Sequence, residues 1–124
     1  MAKAAKPPRA FKSKGFAKIA KKAGISDANL CDAFQQVLKG QCDDLGGGVF
    51  KKRLNKNEHR GIILAEGGNR WIYEFIFAKK DRENIDEDEL KAFRKLAGDY
   101  ANLTDAQVAS LIVNGDLMEI CDGE

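Results

Sequence analysis

Three consecutive cations inside a strand-like segment, Phe50-Lys51-Lys52-Arg53-Leu54, are the residues best suited to chemistry in this chain. Strands favour β-branched and aromatic residues, so such a run is unusual there. Alternation sets Phe50, Lys52 and Leu54 on one face and projects Lys51 and Arg53 together from the other. Arg60 opens the next segment one hairpin away, and Lys79 and Lys80 close the one after that. Four to six cations converging on one side of a small sheet would make an anchor for a phosphodiester. The same pattern also suits a solvated basic face balanced by acids such as Glu58 and Glu66, and the residues alone leave both readings open.

Other chemistries find less support. The single histidine, His59, falls in a turn, where a proton-transfer role is the weaker reading. No Ser/His/Asp set has a readable spacing. Asp86-Glu87-Asp88-Glu89 resembles a metal cluster in composition, but a helix N-terminus favours acids without any metal. Gly46-Gly47-Gly48 lacks the preceding strand and following helix that a phosphate-binding loop needs, so it reads as a turn into a sheet. Cys31, Cys42 and Cys121 are odd in number and show no paired spacing. Neither a zinc site nor a disulfide framework is expected, Cys31 reads as an apolar filler, and a reducing cytoplasm follows as the default compartment.

The elements that must position these residues come from periodicity. Phe16, Ile19, Ala20 and Ala23 recur at helical spacing before Gly24. Ser26 is an N-cap with Ile25 and Leu30 as its staple, opening a helix that buries Leu30, Ala33, Phe34, Val37 and Leu38. Strands are expected at 49–54, 60–65 and 70–78, joined by turns of hairpin length. The third puts Trp71, Tyr73, Phe75 and Phe77 on one face, as core for helix packing. Asp86 with Glu89, and Thr104 with Gln107, open two further helices, and Leu117–Ile120 suggests a short final strand. The order α-α-β-β-β-α-α describes an α+β domain with an antiparallel meander.

Size and charge agree with this. The chain has 124 residues, 44% of them hydrophobic, enough for one core, and no apolar run long enough to span a membrane. Residues 1–10, broken by Pro7-Pro8, read as a flexible basic tail without the apolar stretch of a secretory signal, and residues 11–124 as a single domain. The net charge of +2 conceals +9 over residues 1–60 and −7 over residues 61–124. A basic half of this kind attracts polyanions.

Three segments together carry a family resemblance: Gly46-Gly47-Gly48-Val49-Phe50-Lys51-Lys52-Arg53-Leu54, then Phe75-Ile76-Phe77-Ala78-Lys79-Lys80-Asp81-Arg82-Glu83-Asn84-Ile85, then Glu89-Leu90-Lys91-Ala92-Phe93-Arg94-Lys95-Leu96-Ala97. The chain resembles the RelE/HigB-type toxins of bacterial type II toxin–antitoxin modules, in the branch with an LGGG…KKR…FAK…N pattern. The resemblance implies a RelE/ParE-like fold with two N-terminal helices packed on a small antiparallel sheet and C-terminal helices. It implies an mRNA endoribonuclease needing no cofactor or metal, acting on mRNA in the ribosomal A site, and neutralised by a cognate antitoxin of the helix-turn-helix kind. Residue by residue, the catalytic positions fall on Lys51, Arg53, Arg60 and Lys80, with Lys52, Lys56, His59, Lys79 and Arg82 expected to hold RNA. Two departures stand out: acids around Asp86 where relatives carry a Tyr or His, and Asn57-Glu58-His59 where they are small and glycine-rich. The alternatives are a non-enzymatic ParE-like topoisomerase inhibitor, or a relative that binds RNA without cutting it.

Overall fold

The computed structural model describes residues 7–66 and 69–121. Their elements follow the order β1 (Arg9–Ser13), α1 (Lys14–Lys22), α2 (Asp27–Leu38), β2 (Asp43–Asp44), β3 (Val49–Leu54), β4 (His59–Leu64), β5 (Arg70–Ala78), α3 (Glu87–Ala101), α4 (Asp105–Val113) and β6 (Leu117–Ile120). The α+β class holds. The small antiparallel sheet does not: the strands form one six-stranded mixed sheet in the order β2-β3-β4-β5-β1-β6. Strand β1 runs parallel to β5 and antiparallel to β6. Sequence reading missed β1 because a five-residue segment behind two prolines has too little alternation to be recognised alone. Arg9 and Ala10 therefore belong to the sheet, while residues 1–6 of the expected tail lie outside the described residues.

Both faces of the sheet are covered. Ile62 and Leu64 point to one side of β4 and Ile63 to the other, and all three are fully buried. On the first face, Phe16 and Ala20 of α1 and Leu30, Ala33, Phe34 and Val37 of α2 pack with Leu54, Ile63, Tyr73 and Ile76. Tyr73 Oη donates to the Leu30 carbonyl at 2.7 Å, fixing α2 to the central strand, and burial pushes its phenol above the usual range. On the second face, Leu90, Phe93 and Ala97 of α3 cover Val49, Ile62, Leu64, Phe75 and Phe77. Val108 of α4 packs there with Phe11, Ile72 and Leu117. Ile19 and Leu38, expected in the core, are instead exposed.

The expected N-caps Ser26, Asp86 and Thr104 all hold, and Ser26 gains a reciprocal partner, Asn29, that its staple did not announce. Ser26 with Asn29, Asp86 with Glu89, and Thr104 with Gln107 each form reciprocal capping boxes.

Strand β5 departs from simple alternation. Ile62 faces Phe75 but Ile63 faces Tyr73, so Glu74 is an extra residue with no partner on β4. This bulge reverses the side-chain phase. Trp71, Tyr73 and Ile76 turn toward α1 and α2, whereas Ile72, Phe75 and Phe77 turn toward α3 and α4. The single aromatic stripe expected from the sequence is thus split between two cores.

The cysteine expectation is overturned. Cys31 of α2 is bonded to Cys121, just beyond β6, with Cα atoms 5.5 Å apart and 90 residues between them in sequence. Pairing of β6 with β1 delivers Cys121 to α2, a proximity that no local spacing reveals. The argument from unpaired cysteines to a reducing compartment loses its premise. Cys42 remains a free thiol, and burial raises its pKa.

Candidate nucleic-acid interface

The β3–β4 hairpin brings the cations together. Asn55, Lys56 and Asn57 all have positive φ (53°, 53° and 71°), and the turn is closed by the Glu58 N–H donating to the Asn55 carbonyl at 3.0 Å. Asparagine tolerates this left-handed conformation; the β-carbon of Lys56 makes it costly there. The resulting register sets Arg53 directly opposite Arg60, and Lys51 opposite Ile62. Lys51, Arg53 and Arg60 therefore share the face toward α3. Like charges directly opposite each other in a ladder destabilise it, so packing does not account for this pairing.

Each cation is held differently. Lys51 is largely covered by its surroundings, with Nζ 3.8 Å from Asp43 Oδ2 on β2. Arg60 donates one guanidinium nitrogen to the carbonyls of Asn57 and His59, both at 3.1 Å. The Arg53 side chain is exposed, with no hydrogen-bond or ion-pair partner among the described residues. One anchored arginine, one open arginine and a lysine on a weak ion pair leave several donors for an anion.

The row continues across β5. Phe77 lies opposite Arg60, and the Arg82 guanidinium sits over the Phe77 ring at 5.4 Å. Arg82 is a connector rather than an open cation. It pairs with both carboxylate oxygens of Glu89 and donates to the Asn84 carbonyl at 3.0 Å. This contact holds the Glu89 carboxyl below its usual range and raises Arg82. Of the acids that departed from the family pattern, Asp86 and Glu89 are thus committed to the capping box and to Arg82.

The remaining expected residues are dispersed. Lys79 and Lys80 lie exposed in the turn after β5, with the Lys79 N–H donating to the Glu58 carbonyl at 2.9 Å. Lys56 stands exposed at the hairpin tip. Lys52 is buried on the opposite face, where its Nζ donates to the Gln41 carbonyl at 3.1 Å. Alternation along β3 requires this, so Lys52 lies away from the cluster. His59 also faces the α1 side, opposite Leu54 and Ala78, with Nδ1 3.2 Å from the Asn55 amide nitrogen.

Two contributors escaped the sequence reading. Asp43 steadies Lys51 from β2, a two-residue strand too short to detect. Arg94 of α3 donates to the Leu45 carbonyl at 2.7 Å and the Gly46 carbonyl at 3.3 Å. Gly46, Gly47 and Gly48 all have positive φ, and a β-carbon on Gly47 would stand 2.6 Å from Arg94 Cγ. The glycine triplet is therefore the seat on which α3 closes over the sheet.

A two-layered cover of helices on a mixed sheet, with paired arginines on a hairpin, is the setting in which the comparison with known families falls. Residues 8–120 match the family described as the RelE toxin of the RelE/RelB toxin–antitoxin system, and the chain belongs to that family. It is a toxin of the toxin–antitoxin class, and a cognate antitoxin is its implied partner. Neither curated proteins nor solved structures give a match. None of the helices among the described residues is long and apolar enough to cross a membrane.

Proposed function

We propose that this toxin is an mRNA endoribonuclease that inhibits translation, acting through the ribose 2′-hydroxyl of its substrate, as a HigB-like member of the family. The observation that carries the reading is the direct pairing of Arg53 with Arg60, with Lys51 on the same face. That juxtaposition costs stability and supplies what a phosphodiester in transit needs.

In this mechanism the 2′-oxygen attacks the adjacent phosphorus, and the bond from phosphorus to the 5′-oxygen breaks. The departing 5′-oxygen takes a proton from water, and the products are a 2′,3′-cyclic phosphate and a 5′-hydroxyl. Lys51 or Lys80 is the group that accepts the 2′-hydroxyl proton. Arg53 and Arg60 stabilise the additional charge on the non-bridging oxygens of the phosphorane. Lys56 and Lys79 contact the flanking backbone as point charges. The nucleophile is internal to RNA, so the scheme requires no cofactor. We place the reaction on messages in the ribosomal A site, in the cytoplasm, under control of a helix-turn-helix antitoxin.

Inducible expression of the chain alone in bacteria, followed by primer extension on an abundant message, tests this. Growth arrest with new 5′ ends inside codons is the expected result. Arrest with intact messages would instead favour the topoisomerase-inhibitor reading. Soluble protein without arrest would count against any active toxin.

A further inference from the structure

We infer that the exposed lysine stripe of α1 is a second RNA-binding surface, which engages the phosphate backbone of the message beyond the residues at the cut. The inference rests on the RNA reading above and adds a surface which that reading does not use.

Helix α1 turns Phe16 and Ala20 into the core and leaves Lys14, Lys18, Lys21 and Lys22 exposed. The helix contains no acidic residue. Lys14 and Lys18, and Lys18 and Lys22, stand four residues apart, a spacing at which like charges repel by about 0.2–0.5 kcal/mol per pair. Lys14 sits in the first turn, where the helix dipole disfavours a cation, whereas Lys21 and Lys22 sit in the last turn, where it favours one. None of the four side chains has a hydrogen bond or ion pair among the described residues. The neighbouring Lys12, by contrast, is paired with Asp27, and Lys95 on α3 with Asp99. A glutamate at position 14 or 18 would serve local stability better, so the run of four unpaired lysine side chains points outward, to a polyanion.

The stripe also reaches the end of the sheet that carries the proposed cut, although α1 covers the face opposite Lys51, Arg53 and Arg60. Lys22 lines a groove with Ile19, His59, Phe77, Asp81 and Arg82 at the end of β5, so one carboxylate stands among its cations. That is the end of the sheet at which His59 faces Leu54 and Ala78, next to the hairpin carrying Arg53 and Arg60. From there α1 carries the charge back for about 12 Å, at a helical rise of about 1.5 Å per residue.

Phosphate fits this surface better than an acidic protein does. Protein interfaces are depleted in lysine and anchored by aromatic residues, and the stripe has no aromatic residue. Lysines, as compact point charges on flexible stems, suit a repeating phosphate and carry no sequence preference.

The test measures binding of the full chain to two single-stranded RNAs, four and twenty nucleotides long, with every 2′-hydroxyl methylated so that neither can be cut. Fluorescence anisotropy across a salt series gives affinity and salt slope. The variant K14Q/K18Q/K21Q/K22Q is expected to weaken binding to the long RNA at least about tenfold at low salt, and to reduce its salt slope by roughly 2 to 3. Binding to the short RNA should change little, and K14R/K18R/K21R/K22R should restore the long-RNA affinity. Unchanged affinity and slope in the glutamine variant would overturn the inference. So would a glutamine variant that keeps the long RNA but loses polyglutamate binding, which would reassign the stripe to an acidic protein. Wild-type protein that binds neither RNA would remove the RNA reading itself, a failure distinguishable from that of the stripe alone.

Discussion

At the residue scale, the hairpin and the bulge each set up a measurable consequence. Arg53 and Arg60 face each other across β3 and β4 with different freedom, one open and one tied to two carbonyls. Under the proposed mechanism, Arg53→Ala and Arg60→Ala should each slow message cleavage about 10²-fold, the scale of losing one preorganised donor to transition-state charge. Quantitative primer extension at matched protein levels checks this. The second consequence concerns Glu74, the bulged residue on β5. Its carboxylate accepts from Tyr100 Oη at 2.8 Å, yet burial raises its pKa, and the Tyr100 bond only partly offsets that. A carboxyl with a raised folded pKa favours folding when protonated, and that contribution is lost as pH rises through the folded pKa. Glu74→Gln, which keeps an acceptor for Tyr100, should raise the melting temperature at pH 7. The gain should shrink as pH falls through the raised folded pKa and be lost once pH is below the ordinary carboxylate range. Thermal unfolding of both proteins from pH 3.5 to pH 7 would show it, and equal melting at pH 7 would refute the desolvation argument.

At the scale of elements, the docking of α3 depends on the glycine triplet. Gly47→Ala adds a β-carbon 2.6 Å from Arg94 Cγ at a position whose φ is +66°. Strain and displacement of Arg94 together should cost about 1–3 kcal/mol. Arg94→Ala removes the clash but not the strained φ, so the double variant should be less destabilised than the two single effects added together. Denaturant unfolding of the double-mutant cycle measures that coupling. Simple additivity would mean that Arg94 does not sit on Gly47. The same scale explains two misreadings. A bulge moves every later side chain of β5 to the opposite face, and a period-two pattern cannot reveal it. Strands of two and five residues at a sheet edge or behind prolines carry too few alternations to be seen.

At the scale of the whole molecule, the Cys31–Cys121 bond ties α2 to the end of β6. Closing a loop of 90 residues removes unfolded-state entropy worth up to about 4–5 kcal/mol in the chain-entropy treatment. Reduction, or the C31S/C121S variant, should therefore lower the melting temperature by ten degrees or more, on the order expected for a chain of this size. Calorimetry with and without reductant decides it. A melting temperature that ignores reductant would mean the bond adds little to stability. The β1–β6 edge has a second tie: Arg9 Nε and Nη2 each donate to Glu119 at 2.9 Å, holding that carboxyl below its usual range.

The sequence by itself determined three helix N-caps, two of them as reciprocal boxes, and the shared face of Lys51 and Arg53, because capping and alternation are written in residues three or two apart. The motif segments led to the RelE family for a similar reason, being runs of adjacent residues. Tertiary structure decided what distant segments do to one another. It inserted β1 between β5 and β6, split the aromatic stripe at Glu74, joined Cys31 to Cys121, and turned Arg82 from a free cation into the partner of Glu89. Each of these results from packing both faces of one sheet at once, and no local period records that demand.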